Sequence, residues 1–148
     1  LAGTVTRGLC RFARILAHAL LPLMWVLGFK VSVVKLVGSK TEREIRLELI
    51  KSTSSVFSES SESQVKAYFL DNDMDFSKVI VLSSFPDDRV IYYWLLIESR
   101  MIGRVEVELD NPECTGMDTF TLLEYSHKLS KIQQIKLAVA MDLLATET

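Results

Sequence analysis

Residues 90–97 read Val-Ile-Tyr-Tyr-Trp-Leu-Leu-Ile. β-branched and aromatic side chains suit a pleated, extended backbone, so the run is predicted to be a strand. It is apolar on both of its faces. Such a strand must be covered above and below, which places it at the centre of a sheet. The remaining elements are read outward from this one.

Downstream, Val105, Val107 and Leu109 alternate with Arg104, Glu106 and Glu108, which predicts a strand over residues 104–109 with one wet face. Residues 99–103 then close a hairpin with the central strand. Upstream, residues 79–84 and 65–70 are further predicted strands, and Pro86-Asp87-Asp88 has turn chemistry. Ile45, Leu47 and Leu49 alternate with Arg46, Glu48 and Ile50, a half-buried strand with one wet face. It pairs with a β-branched run at residues 31–37 through Gly38-Ser39-Lys40. Residues 52–63 (STSSVFSESSES) are read as a solvated Ser/Glu-rich connection with Val56 and Phe57 embedded in it. Its serines, beside acidic residues, are weak candidates for phosphate acceptors.

The chain is predicted to end in a long helix over residues 118–145. Asn111, Pro112 and Gly116 break the strand before it. Asp118 or Thr119 caps it, and Thr121 with Glu124 forms a capping box one turn in. Tyr125, Leu129, Ile132, Ile135, Val139 and Leu143 define one apolar face.

At the other end, residues 7–29 read as helix. Arg7, Arg11, Arg14 and His18 share one face, opposite Leu9, Phe12, Ile15, Leu16 and Leu20. Pro22 interrupts it, and Trp25 suits a membrane–water boundary. Residues 15–29 fall short of the about 20 apolar residues that cross a bilayer. Three placements fit the pattern: a core helix with its arginines in water, a helix lying in a membrane surface, and a spanning anchor.

These elements predict a single α+β domain over residues 1–148, with residues 1–30 a basic, apolar N-terminal helical segment. A mostly antiparallel sheet of about six strands would carry that helix and the C-terminal amphipathic helix.

Composition sets the outer bounds. The 148 residues are 49% hydrophobic with mean hydropathy +0.23, too apolar for intrinsic disorder. Two cysteines are too few for a disulfide framework or to fill a four-ligand structural zinc site. The formal net charge of −2 conceals two opposed regions. Residues 1–40 hold six basic and no acidic residues; residues 41–148 hold the other 11 basic residues and all 19 acidic ones. With a net charge of −2 and a pI of about 5.7 the whole chain is not expected to be a general nucleic-acid binder.

Chemistry-bearing patterns are sparse. Cys114 and His127 are candidates for a nucleophile pair, with a loop cysteine and a solvent histidine as the plain alternative. Asp71-Asn72-Asp73-Met74-Asp75 opens like a calcium loop, but Phe76 and Leu82 stand where glycine and glutamate are required, so a polar turn between strands is the better reading. No glycine-rich phosphate loop and no zinc spacing occurs, so no cofactor and no metal are expected.

The functional expectation is a non-catalytic interaction or accessory module. It docks through Arg7, Arg11, Arg14, His18 and Trp25 onto a partner protein, a larger assembly or an anionic membrane surface. A second expectation is a carrier of an apolar ligand between the sheet and the C-terminal helix, lined by Tyr68, Tyr93, Trp94, Met101 and Tyr125. A third is an enzyme of unrecognised type using Cys114, His127 or the Asp71, Asp73 and Asp75 carboxylates.

Overall fold

The computed structural model describes residues 40–146. The expected helix at residues 7–29, the expected strand at 31–37, and Arg7, Arg11, Arg14, His18 and Trp25 lie outside the described residues. The described elements are α1 (Lys40–Phe57), α2 (Gln64–Asp71), β1 (Val79–Asp87), β2 (Val90–Ile97) and β3 (Met101–Glu108), then a 3₁₀ turn (Pro112–Cys114), β4 (Gly116–Thr121), α3 (Leu122–Ser126) and α4 (Lys131–Thr146). The architecture is α+β. Among the described residues its sheet is an antiparallel meander of four strands in the order β1-β2-β3-β4, where five of the six expected strands would have fallen.

Two expected strands are helices. In α1, Ile45 and Leu49 are buried while Leu47 is 69% exposed. Residues 45 and 49 fit both an alternating strand and a helical i, i+4 stripe, and Leu47 separates the two. The helix continues to Phe57, so the Ser/Glu-rich connection shrinks to residues 58–63, and Val56 and Phe57 become core. In α2, Val65 and Phe69 form the buried i, i+4 pair, and the Ser63 hydroxyl caps the helix by accepting the Lys66 backbone N–H at 3.1 Å.

The three remaining expected strands are present as β1, β2 and β3. The loop between β2 and β3 is residues 98–100, shorter than expected, with Glu98 and Ser99 both at positive φ. The helix expected from residue 118 begins later. Residues 116–121 are β4, whose Thr119, Phe120 and Thr121 favour extended backbone. The Thr121–Glu124 capping box is present but starts the short α3. Ser130 and Gln133 form a second reciprocal pair at the start of α4. There the Gln133 side-chain oxygen accepts the Ser130 N–H at 2.9 Å, and the Ser130 hydroxyl faces the Gln133 N–H at 3.5 Å.

Each face of the sheet carries its own core. On one, Ile45 and Leu49 of α1 and Ile135, Val139, Ala140 and Leu143 of α4 pack on Ile80, Leu82, Leu96 and Ile102. On the other, Val56, Phe57, Val65 and Phe69 pack on Val79, Val81, Leu95 and Ile97. Helix α1 contributes to both, so it crosses the sheet at the β1 edge. There the Thr53 hydroxyl accepts the Val81 N–H. Helices α1 and α4 run antiparallel and are clamped by Arg46–Asp142 at 2.6 Å and Lys136–Glu48 at 2.7 Å.

Among the described residues no helix is long and apolar enough to cross a membrane.

Candidate interaction surface

The surface starts from an irregularity in β1. Val81 pairs with Leu95 and Ser83 with Trp94, leaving Leu82 unpaired as a bulge. Beyond it the register is regular and builds three cross-strand rows on the face that carries α1 and α4. The first is Ser83–Trp94–Arg104–Asp118, the second Phe85–Tyr92–Glu106–Gly116, and the third Asp87–Val90–Glu108. None of these residues is buried. Full burial on this face ends at the row containing Leu96 and Ile102, and in the next row Trp94 packs half-buried against that core. Phe85, 61% exposed, stands at the uncovered margin.

Arg104 organises this face. Its guanidinium lies 5.9 Å from the Tyr92 ring centre, 6.0 Å from Trp94 and 5.8 Å from Phe120, within cation–π range. Nη2 donates to the Asp118 carboxylate at 2.7 Å and pairs with Glu106 at 3.0 Å. Nε is buried and has no hydrogen-bond partner, as expected for a guanidinium walled in by rings. Trp94 also packs against Phe120 and Tyr125, with ring centres 5.7 and 5.2 Å away.

Tyr125 connects the face to a half-open cleft of about 270 Å³ between α1, β1, α3 and α4. Ile45, Leu82, Ile132 and Leu137 give it apolar walls, and Ser83, Gln133 and the Glu48–Lys136 ion pair give it a polar rim. Burial pushes the Tyr125 phenol above the usual tyrosine range.

The five expected cavity residues do not converge. Tyr68, Tyr93 and Met101 pack on the α2 face, and burial raises the Tyr93 phenol in the same direction. Trp94 and Tyr125 pack on the opposite face, and of the five only Tyr125 lines the cleft. Cys114 precedes β4 rather than a helix, and the Asn111 side-chain amide donates to its Sγ at 3.1 Å. His127 is exposed at the C-terminal end of α3. The acidic run after α2 joins a helix to a strand, not two strands. Its Asp75 carboxylate accepts the Ser77 N–H and hydroxyl, both at 2.8 Å, and is held below the usual aspartate range by those bonds. Among the described residues no group of three or more His, Cys, Asp or Glu is placed to hold a metal ion.

Arg104, Phe85 and Phe120 were not singled out from the sequence. The alternation of Arg104, Glu106 and Glu108 marks a wet strand face, but only the three-residue loop at 98–100 sets Trp94 opposite Arg104. Comparison with family models, curated proteins and solved structures gave no significant match.

Proposed function

We propose that this chain is a non-catalytic interaction module whose recognition surface is the uncovered half of the sheet. The observation that carries the reading is the outer half of this sheet face, where Phe85 is 61% exposed and no residue from the row of Phe85 and Tyr92 outward belongs to the helix-covered core. Sheet faces with Phe, Tyr and Trp at the surface lose free energy to water until they are covered, and such residues with arginine dominate binding hot spots. In this reading the basic, apolar segment of residues 1–30 is a second docking element, for a partner protein or an anionic membrane surface.

The test of the sheet face is a photoreactive benzoylphenylalanine at position 85, compared with one at the equally exposed position 47, in living cells. A discrete crosslinked species at 85 and not at 47 supports the reading. Identical products from both positions, or none at 85, would sink it. For the N-terminal element, co-sedimentation with anionic vesicles should fall when Arg7, Arg11 and Arg14 are replaced by glutamine.

A second reading, a carrier of an apolar ligand, is favoured by the cleft beside Tyr125. Its volume is close to the lower bound for small-molecule sites. An Ile132→Trp change should fill the cleft and displace a fluorescent apolar probe. Unchanged probe binding would remove this reading.

A further inference from the structure

The nature of the partner follows from the size and charge of the uncovered face. Four strands about 4.8 Å apart and three rows about 6.8 Å apart give a patch of roughly 14 Å by 14 Å. That is on the order of 200 Å², against about 800 Å² per partner in a stable protein–protein interface. A second copy of the chain or another globular face needs far more contact than this. A single helix or strand, about 10 Å across, fits it.

The charge is equally specific. Four carboxylates, those of Asp87, Glu106, Glu108 and Asp118, face one guanidinium, and Arg104 already pairs with Glu106 and Asp118. Asp87 and Glu108 flank Val90 in the outermost row, both exposed and neither ion-paired among the described residues. Like charges gathered on one face repel each other and favour a cationic ligand. The exposed ring of Phe85 adds to that preference, because ring faces attract cations. The same charge repels nucleic acid and anionic lipid.

Resting on the interaction-module reading, we infer that the face binds a short basic peptide segment of a partner protein. Its Lys or Arg side chains lie over Asp87 and Glu108. A bulky apolar side chain contacts Phe85 and reaches the cleft beside Tyr125.

The experiment uses the full chain and three labelled 14-residue peptides: one of Lys, Arg and Leu, one with Glu replacing every base, and one with Ser replacing every Leu. Fluorescence anisotropy should show saturable one-to-one binding of the first. Asp87→Asn with Glu108→Gln should weaken it about tenfold and flatten its salt dependence. Phe85→Ser should weaken it comparably, and Leu47→Ser should leave it unchanged. Unaltered thermal unfolding of each variant shows that folding is intact. Equal, Phe85-dependent binding of the acidic peptide overturns the inference and leaves the interaction surface standing. Phe85-dependent self-association in sedimentation does the same, by assigning the face to a second copy. Binding of the basic peptide that ignores both Phe85→Ser and the carboxylate changes overturns the surface itself.

Discussion

The Thr53 hydroxyl accepts the backbone N–H of Val81 at 2.9 Å. A helix side chain thus takes the place of the strand that the β1 edge lacks, immediately before the Leu82 bulge. Buried backbone donors need such partners, and an uncovered strand edge invites pairing with other chains. Thr53→Val keeps the shape and leaves the Val81 donor unmet, with an expected loss of about 1–3 kcal/mol. Thr53→Ser restores the acceptor and most of the stability. Urea unfolding of the three proteins checks the order.

Lys66 performs a related task for the short serine-rich loop. Its ammonium donates to the backbone carbonyls of Ser58 at 2.7 Å, Glu59 at 3.2 Å and Ser61 at 3.4 Å. Lys66→Met removes all three bonds and should cost about 1–3 kcal/mol. The loop should loosen before the core does. A glutamate-specific protease should then cut at Glu59 or Glu62 faster than in the wild type, while hydrogen exchange in β2 stays slow.

Arg104 is held both by rings and by carboxylates. Arg104→Lys keeps the charge and loses the planar fork and its stacking. Because the side chain is a third exposed, solvent screens the ion pairs, and the expected cost is only about 1 kcal/mol. Thermal unfolding measures it. Trp94 emission, read in a Trp25→Phe background, should shift to the red as the guanidinium leaves the ring.

The α3 cap makes an acid-sensitive contribution. The Glu124 carboxylate accepts the Thr121 N–H and hydroxyl, both at 2.8 Å, and these bonds hold it below the usual glutamate range. A carboxylate lowered in the folded state adds stability that is full above its unfolded value near 4.5 and is lost as pH falls through the folded value. The stability gap between wild type and Glu124→Gln should therefore close on acidification. A gap that stays constant from pH 6 to pH 2 would contradict this account.

Tyrosines give the mirror-image alkaline effect. Tyr93 and Tyr125 are raised by burial, so their stabilisation is complete below the unfolded value of 10.0 and is lost as pH rises through the raised folded values. Ultraviolet titration should show late ionisation steps from Tyr93 and Tyr125. Tyr125→Phe should remove one of those late steps and leave the other.

Legibility in the sequence followed the range of the interactions involved. Residues 90–97 form the expected inner strand, but only Leu95, Leu96 and Ile97 are buried between two cores; Val90 to Trp94, expected to be covered on both faces, are half-buried because the helices stop short of them. Residues 45–50 and 65–70 misled because Ile45 with Leu49, and Val65 with Phe69, satisfy strand and helix patterns alike. Exposure of Leu47 resolves the first case, and that is a tertiary fact. The C-terminal helix is shorter than its apolar stripe suggests, because the stripe runs across two boundaries. Thr121 with Glu124 and Ser130 with Gln133 both mark helix starts. For the candidate surface, residue types were visible but sidedness was not. Tyr93 and Trp94 are neighbours in sequence and lie on opposite faces. The register that joins Trp94 to Arg104 depends on positive φ at Glu98 and Ser99; serine is a common turn residue, but neither type marks a left-handed backbone in the sequence.

The unpaired Leu82 sets parity along the outer half of β1. Odd-numbered residues before it, Val79 and Val81, face α2; after it, Ser83 and Phe85 face the other way. Deleting Leu82 would leave the pairs beyond it and their faces in place, and would remove only an apolar wall of the cleft. Closing the bulge with no residue lost would instead pair Leu82 with Trp94 and move every later pair by one, so that Ser84 and Pro86 take the places of Ser83 and Phe85. The identity of this surface is thus stored in one supernumerary residue of β1 as much as in its composition.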